Sequence, residues 1–72
     1  DIVLKNAGKL YLTSDVTIWD LSMDSSSAVL YLNGHTLTII SNKHRDRKGW
    51  NGSVRGSGSI VWKPVAFSLV IR

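Results

Sequence analysis

Ala28-Val29-Leu30-Tyr31-Leu32-Asn33-Gly34-His35-Thr36-Leu37-Thr38-Ile39 is the stretch that decides the fold. Two short runs rich in β-branched, aromatic and aliphatic residues flank an Asn-Gly pair, the dipeptide best suited to two successive residues at positive φ. The same pattern stands earlier in the chain. Leu30-Tyr31-Leu32 repeats Leu10-Tyr11-Leu12 at an offset of 20 residues, and Leu37-Thr38-Ile39-Ile40 echoes Val16-Thr17-Ile18-Trp19 at an offset of 21. The extra residue lies in the connection, which is Thr13-Ser14-Asp15 in the first unit and Asn33-Gly34-His35-Thr36 in the second. Ile18, Ile39 and Ile60 continue the step of 21, as do Trp19, Ile40 and Val61, and Val54 stands near the place of Leu12 and Leu32.

Working outward, β-rich runs fall at 9–13, 16–21, 28–32, 36–40, 59–62 and 65–71. They are divided by Ser, Asn, Asp and Gly clusters, which reads as all-β. The chain contains neither Glu nor Gln, so the usual material of long amphipathic helices is missing. Its 72 residues allow at most one domain. With no cysteine, neither disulfides nor a thiolate zinc site can staple it. No apolar run reaches the roughly 18 residues of a membrane-spanning helix.

A repeat near 20 residues built of short strands and corners predicts a β-solenoid, in which each turn advances by one strand spacing of about 4.8 Å and like residues stack. The expected inward stacks are Leu12–Leu32–Val54, Ile18–Ile39–Ile60 and Val16–Leu37, with Tyr11–Tyr31 as an outward aromatic ladder. The whole chain, 1–72, is then a single segment of about three coils, with units near 9–28, 29–52 and 53–72. The competing topology is a small antiparallel β-domain, because Asn33-Gly34 is also the strongest local signal for a two-residue hairpin.

The stretch 28–39, followed by the glycine-rich 52–60, resembles the rungs of right-handed parallel β-helices. Those rungs occur in autotransporter-like and surface-adhesin passenger regions of secreted bacterial proteins and in pectate-lyase-like carbohydrate enzymes. The resemblance covers about residues 9–62. It implies a structural segment of a secreted or cell-surface protein, extracellular in location, with part of a polysaccharide lyase or glycoside hydrolase as the runner-up. Three coils alone leave two apolar ends to be covered by neighbouring coils of a longer chain or by self-association through open strand edges. The strand-like ends, Ile2-Val3-Leu4 and the run to Arg72, likewise suggest an excerpt of a longer chain or a product with protected ends.

Charge divides the chain unevenly. Residues 1–42 carry Lys5 and Lys9 against Asp1, Asp15, Asp20 and Asp24, a net −2, whereas 43–72 hold seven cations against Asp46, a net +6. The knot of that excess is Lys43, His44, Arg45, Arg47 and Lys48, followed by Trp50. Cations beside an aromatic ring suit an acidic polysaccharide or glycan, with charge on carboxylates or sulfates and Trp50 stacked on a sugar face. Single-stranded nucleic acid uses similar groups but is the weaker expectation. The plain alternative is a solvated loop with Trp50 folded back over the core.

No catalytic set stands out. Asp15 and Asp20 are an acid–base pair only if the fold brings them together, and turns use Asp routinely. Five scattered aspartates do not supply the six to eight oxygens calcium takes. His35 and His44 lack a third zinc ligand, so no metal and no cofactor is expected. Gly56-Ser57-Gly58 lacks the third glycine and the helix of a phosphate loop and reads as a turn. Asn51-Gly52-Ser53 fits a glycosylation sequon, a tripeptide common by chance.

Overall fold

The computed structural model describes residues 1–64; the run expected at 65–71 lies outside the described residues. Among the described residues eight short strands form: β1 (Ile2–Leu4), β2 (Lys9–Tyr11), β3 (Val16–Ile18), β4 (Leu21–Met23), β5 (Val29–Tyr31), β6 (Thr36–Ile39), β7 (Ser53–Arg55) and β8 (Ser59–Trp62). One 3-10 turn, Arg45–Arg47, is the only helical element among the described residues. The protein is all-β.

Among the described residues every pairing is parallel, in three small sheets: β1-β4, β2-β5-β7 and β3-β6-β8. Among the described residues the chain passes through the three sheets in turn twice and then returns to the second and third, so paired strands are separated in sequence by one such circuit. Lys9 meets Val29, Val16 meets Leu37 and Ile2 meets Leu21. The offsets of 20 and 21 seen in the sequence are the registers of the β2-β5 and β3-β6 pairs, while β1-β4 steps by 19. Tyr11 and Tyr31 stack with ring centroids 4.5 Å apart and planes 5° from parallel, close to the spacing of the strands that carry them.

The antiparallel alternative is overturned at its strongest point. The Asn33-Gly34 turn does form: φ is 53° at Asn33 and 78° at Gly34, and the His35 N–H donates to the Leu32 carbonyl at 2.9 Å. Yet the strands on either side, β5 and β6, belong to different sheets. The turn's remaining groups bond to the neighbouring corners instead of closing a hairpin. Asn33 Nδ2 donates to the Leu12 carbonyl at 2.9 Å, and the Gly34 N–H donates to the Ser57 carbonyl at 2.7 Å.

Two finer expectations also change. The run 16–21 is not one strand: the chain bends at Trp19-Asp20, and Leu21–Met23 joins β1 in the first sheet. The third unit is shifted by two residues from the expected stacks. Val54 lies opposite Leu30, in line with Leu10, while Ile60 lies opposite Leu37 and Trp62 opposite Ile39. Thirteen residues, 40–52, separate β6 from β7, so the step from Val29 to Ser53 is 24 rather than 20. At the third corner Gly58 has φ 131°, and a Cβ there would run into the His35 carbonyl oxygen and Leu32, which is why position 58 is glycine.

The core is deepest in the middle circuit. Ala28, Leu30, Leu37 and Ile39 are fully buried, together with Leu21 and Met23 of β4. Their counterparts in the outer circuits are only partly covered: Leu10, Ile18, Val54 and Ile60 are half-buried, and Val16 is 36% exposed. An inward side chain on a stacked strand is covered by the strands above and below it, and the outer circuits have such a neighbour on one side only.

Candidate functional site

Residues 40–52 leave the stack between β6 and β7 and contain the cationic knot. The departure is well fixed. Ile40 and Ser41 still donate backbone N–H bonds to the Ile18 and Trp19 carbonyls at 3.0 and 2.7 Å, and buried Ser41 Oγ accepts from the Lys43 N–H at 3.1 Å. Successive turns follow: the Arg47 N–H donates to the His44 carbonyl at 3.0 Å, Lys48 to Arg45 at 3.2 Å, and Trp50 to Arg47 at 3.1 Å. The winding needs left-handed backbone at Asp46 (φ 57°) and Arg47 (φ 67°), a region that asparagine and aspartate tolerate but arginine does not favour.

The loop is tied down along the outer edge of β4. His44 Nδ1 lies 3.1 Å from Oδ1 of buried Asp20. Trp50 Nε1 donates to the Leu21 carbonyl at 2.6 Å, and the Asn51 N–H donates to the Met23 carbonyl at 3.1 Å. Trp50 and Asn51 thus meet the carbonyls that a third strand of the β1-β4 sheet would otherwise bond. Trp50 also tilts against Trp62, with centroids 5.7 Å apart and planes at 48°. Trp62 Nε1 is itself buried without a partner among the described residues. An orphan of this kind costs on the order of 1–3 kcal/mol.

The six residues singled out in the sequence therefore divide in two. Lys43, Arg45, Arg47 and Lys48 are exposed, and among the described residues none lies within ion-pair distance of a carboxylate. Asp46, between the two arginines, is exposed and forms no ion pair with them. His44 and Trp50 are half-buried and their polar atoms are taken up by Asp20 and Leu21. Asp20 and Trp62 belong to the site as supports, and neither was visible as such in the sequence. Both contacts join residues in different circuits, so only the register reveals them.

Asp15 and Asp20 are drawn to separate partners. Asp15 Oδ1 accepts from the Thr36 N–H at 2.9 Å and lies 3.6 Å from His35 Nδ1, while Asp20 holds His44. Each aspartate faces a histidine one circuit onward. Among the described residues no serine or threonine hydroxyl hydrogen-bonds to either histidine, and no three His, Asp or Glu side chains converge as metal ligands. No described helix is long and apolar enough to cross a membrane. No protein-family model, curated protein or solved structure matches the chain.

Proposed function

We propose that the chain is a stretch of right-handed parallel β-solenoid from a secreted or cell-surface bacterial protein, a passenger- or adhesin-like scaffold that presents the loop 40–52 to an acidic glycan. The solenoid reading is supported by parallel pairings one circuit apart in all three sheets. Right-handedness follows from the near-universal hand of parallel crossover connections. The observation that carries the ligand class is that Lys43, Arg45, Arg47 and Lys48 are exposed and form no ion pair among the described residues, on a loop fastened at His44, Trp50 and Asn51. A group of like charges on an anchored loop, with no counterion among the described residues, favours a polyanion, since part of its ordering is already done by the fold.

In this reading the cations contact carboxylates or sulfates, whereas His44 and Trp50 hold the loop in shape. The test is binding of the chain to polygalacturonate, to a sulfated glycan and to neutral dextran at rising salt. Binding to the two acidic polymers that weakens with salt, and that Arg45→Gln/Arg47→Gln/Lys48→Gln abolishes without lowering the melting temperature, supports the reading. Equal binding to dextran, or no loss in the triple variant, contradicts it.

A further inference from the structure

The two ends of the stack match each other. Among the described residues nothing pairs with the outer edges of β2 and β3 at one end, or of β7 and β8 at the other. At the first end, Leu12 and Val29 N–H groups bond across the β2-β5 pair, to Tyr31 and Gly8, so alternation turns the N–H and C=O of Lys9 and Tyr11 outward. At the last end, Ser53 N–H and the Arg55 carbonyl bond inward to Ala28 and Leu32, leaving the N–H and C=O of Val54 outward.

The spacing between the two sheets is also the same at both ends. Four residues separate Tyr11 from Val16, and four separate Arg55 from Ile60, whereas the middle circuit has five between Tyr31 and Leu37. One translation therefore sets β7 on the β2 of another copy and β8 on its β3 in register at once. Val54 then covers Leu10, Ile60 covers Val16 and Trp62 covers Ile18, continuing the three apolar columns inside the molecule. The first end carries a cleft of about 210 Å³ lined by Leu10, Tyr11, Leu12, Val16, Ile18 and Leu37, ready to receive those side chains. Outside, Tyr11 has one ring face against Tyr31 and is still 53% exposed, and the next residue in its column is Arg55, a cation suited to the open face.

From these matches we infer that the occupant of the first edge is the last edge of a second copy of this chain, joined head to tail through β7-on-β2 and β8-on-β3 parallel pairing. The contact is heterologous and does not close, so assembly proceeds to linear oligomers. It rests on the observed registers and the end surfaces and is independent of any ligand on the loop 40–52.

Sedimentation velocity on the full 72-residue chain across a wide concentration range tests it. The wild type is expected to form a concentration-dependent ladder of oligomers. Lys9→Pro and Val54→Pro, which each remove an outward N–H at one end, are expected to be monomeric alone. Mixed in equal amounts they are expected to give a dimer and nothing larger, because each retains the end the other has lost. Arg55→Glu, which leaves the strand N–H groups in place and guards against a misfolded Val54→Pro, is expected to weaken association by roughly tenfold. A wild type that stays monomeric, folded or not, overturns the inference. So do oligomers that persist in Lys9→Pro alone, or an association unchanged by Arg55→Glu.

Discussion

Asn33-Gly34 and Asp46-Arg47 place the same backbone demand on two very different parts of the molecule. Each puts two consecutive residues at positive φ: 53° and 78° in the first pair, 57° and 67° in the second. At the corner the residue types suit the geometry, since glycine has no Cβ to clash and asparagine compensates with a side-chain bond to the Leu12 carbonyl. In the loop, arginine takes the second place with no such compensation, at a cost of about 1–2 kcal/mol. The corner is chosen for the stack. The loop is held in its winding by anchors elsewhere, at Asp20, Leu21 and Met23, and what its strained segment presents is charge. Backbone strain kept at a cluster of exposed cations is the pattern expected of a segment retained for contact rather than for stability.

Substitutions can break or sharpen that contrast. The largest effect belongs to the stack: Ile39→Lys, which forces a cation into a fully buried column between Ile18 and Trp62, is expected to unfold the chain, read as loss of the cooperative β-sheet melt by circular dichroism. Trp50→Ala, which removes the loop's bond to Leu21 and its contact with Trp62, is expected to cost about 3 kcal/mol in denaturant titration. Asn33→Ala should cost about 1–2 kcal/mol by the same method, because it loses both the bond to Leu12 and a residue suited to positive φ. Arg47→Gly reverses the sign. It relieves the left-handed strain and is expected to stabilise by up to about 1 kcal/mol while weakening retention on an acidic polymer. If Arg47→Gly destabilises instead, the contrast between corner and loop is wrong. Smallest of all, Tyr31→Ser removes half of an exposed ladder and is expected to cost about 1 kcal/mol or less.

Part of this was legible in the sequence. Leu10-Tyr11-Leu12 and Leu30-Tyr31-Leu32 announced both the offset and the Tyr11–Tyr31 stack, because in-register parallel strands reward like residues in contact. The third register was not, since it depends on how much chain the loop 40–52 absorbs, and Ile60 at a step of 21 from Ile39 was a coincidence of residue type. β4 was hidden because the break at Trp19-Asp20 carries no glycine or proline. Asn33-Gly34 gave the right turn and the wrong partner. Turn chemistry fixes the local backbone, but the partner of a strand is set by which surfaces it buries. For the loop, charge made the cations obvious; Asp20 was singled out only beside Asp15, and its hold on His44, like the contact of Trp62 with Trp50, stayed hidden because both contacts cross between circuits.

The central claim is that partners lie one circuit apart in parallel register. Cross-strand proton contacts in a nuclear Overhauser spectrum of the isotope-labelled chain test it most directly. Parallel register gives contacts linking Leu10 to Leu30 and Leu30 to Val54, with none pairing Tyr31 to Thr36 across the Asn33-Gly34 turn in hairpin register. Strong α-proton contacts between the strands on either side of that turn, the mark of an antiparallel hairpin, would contradict it.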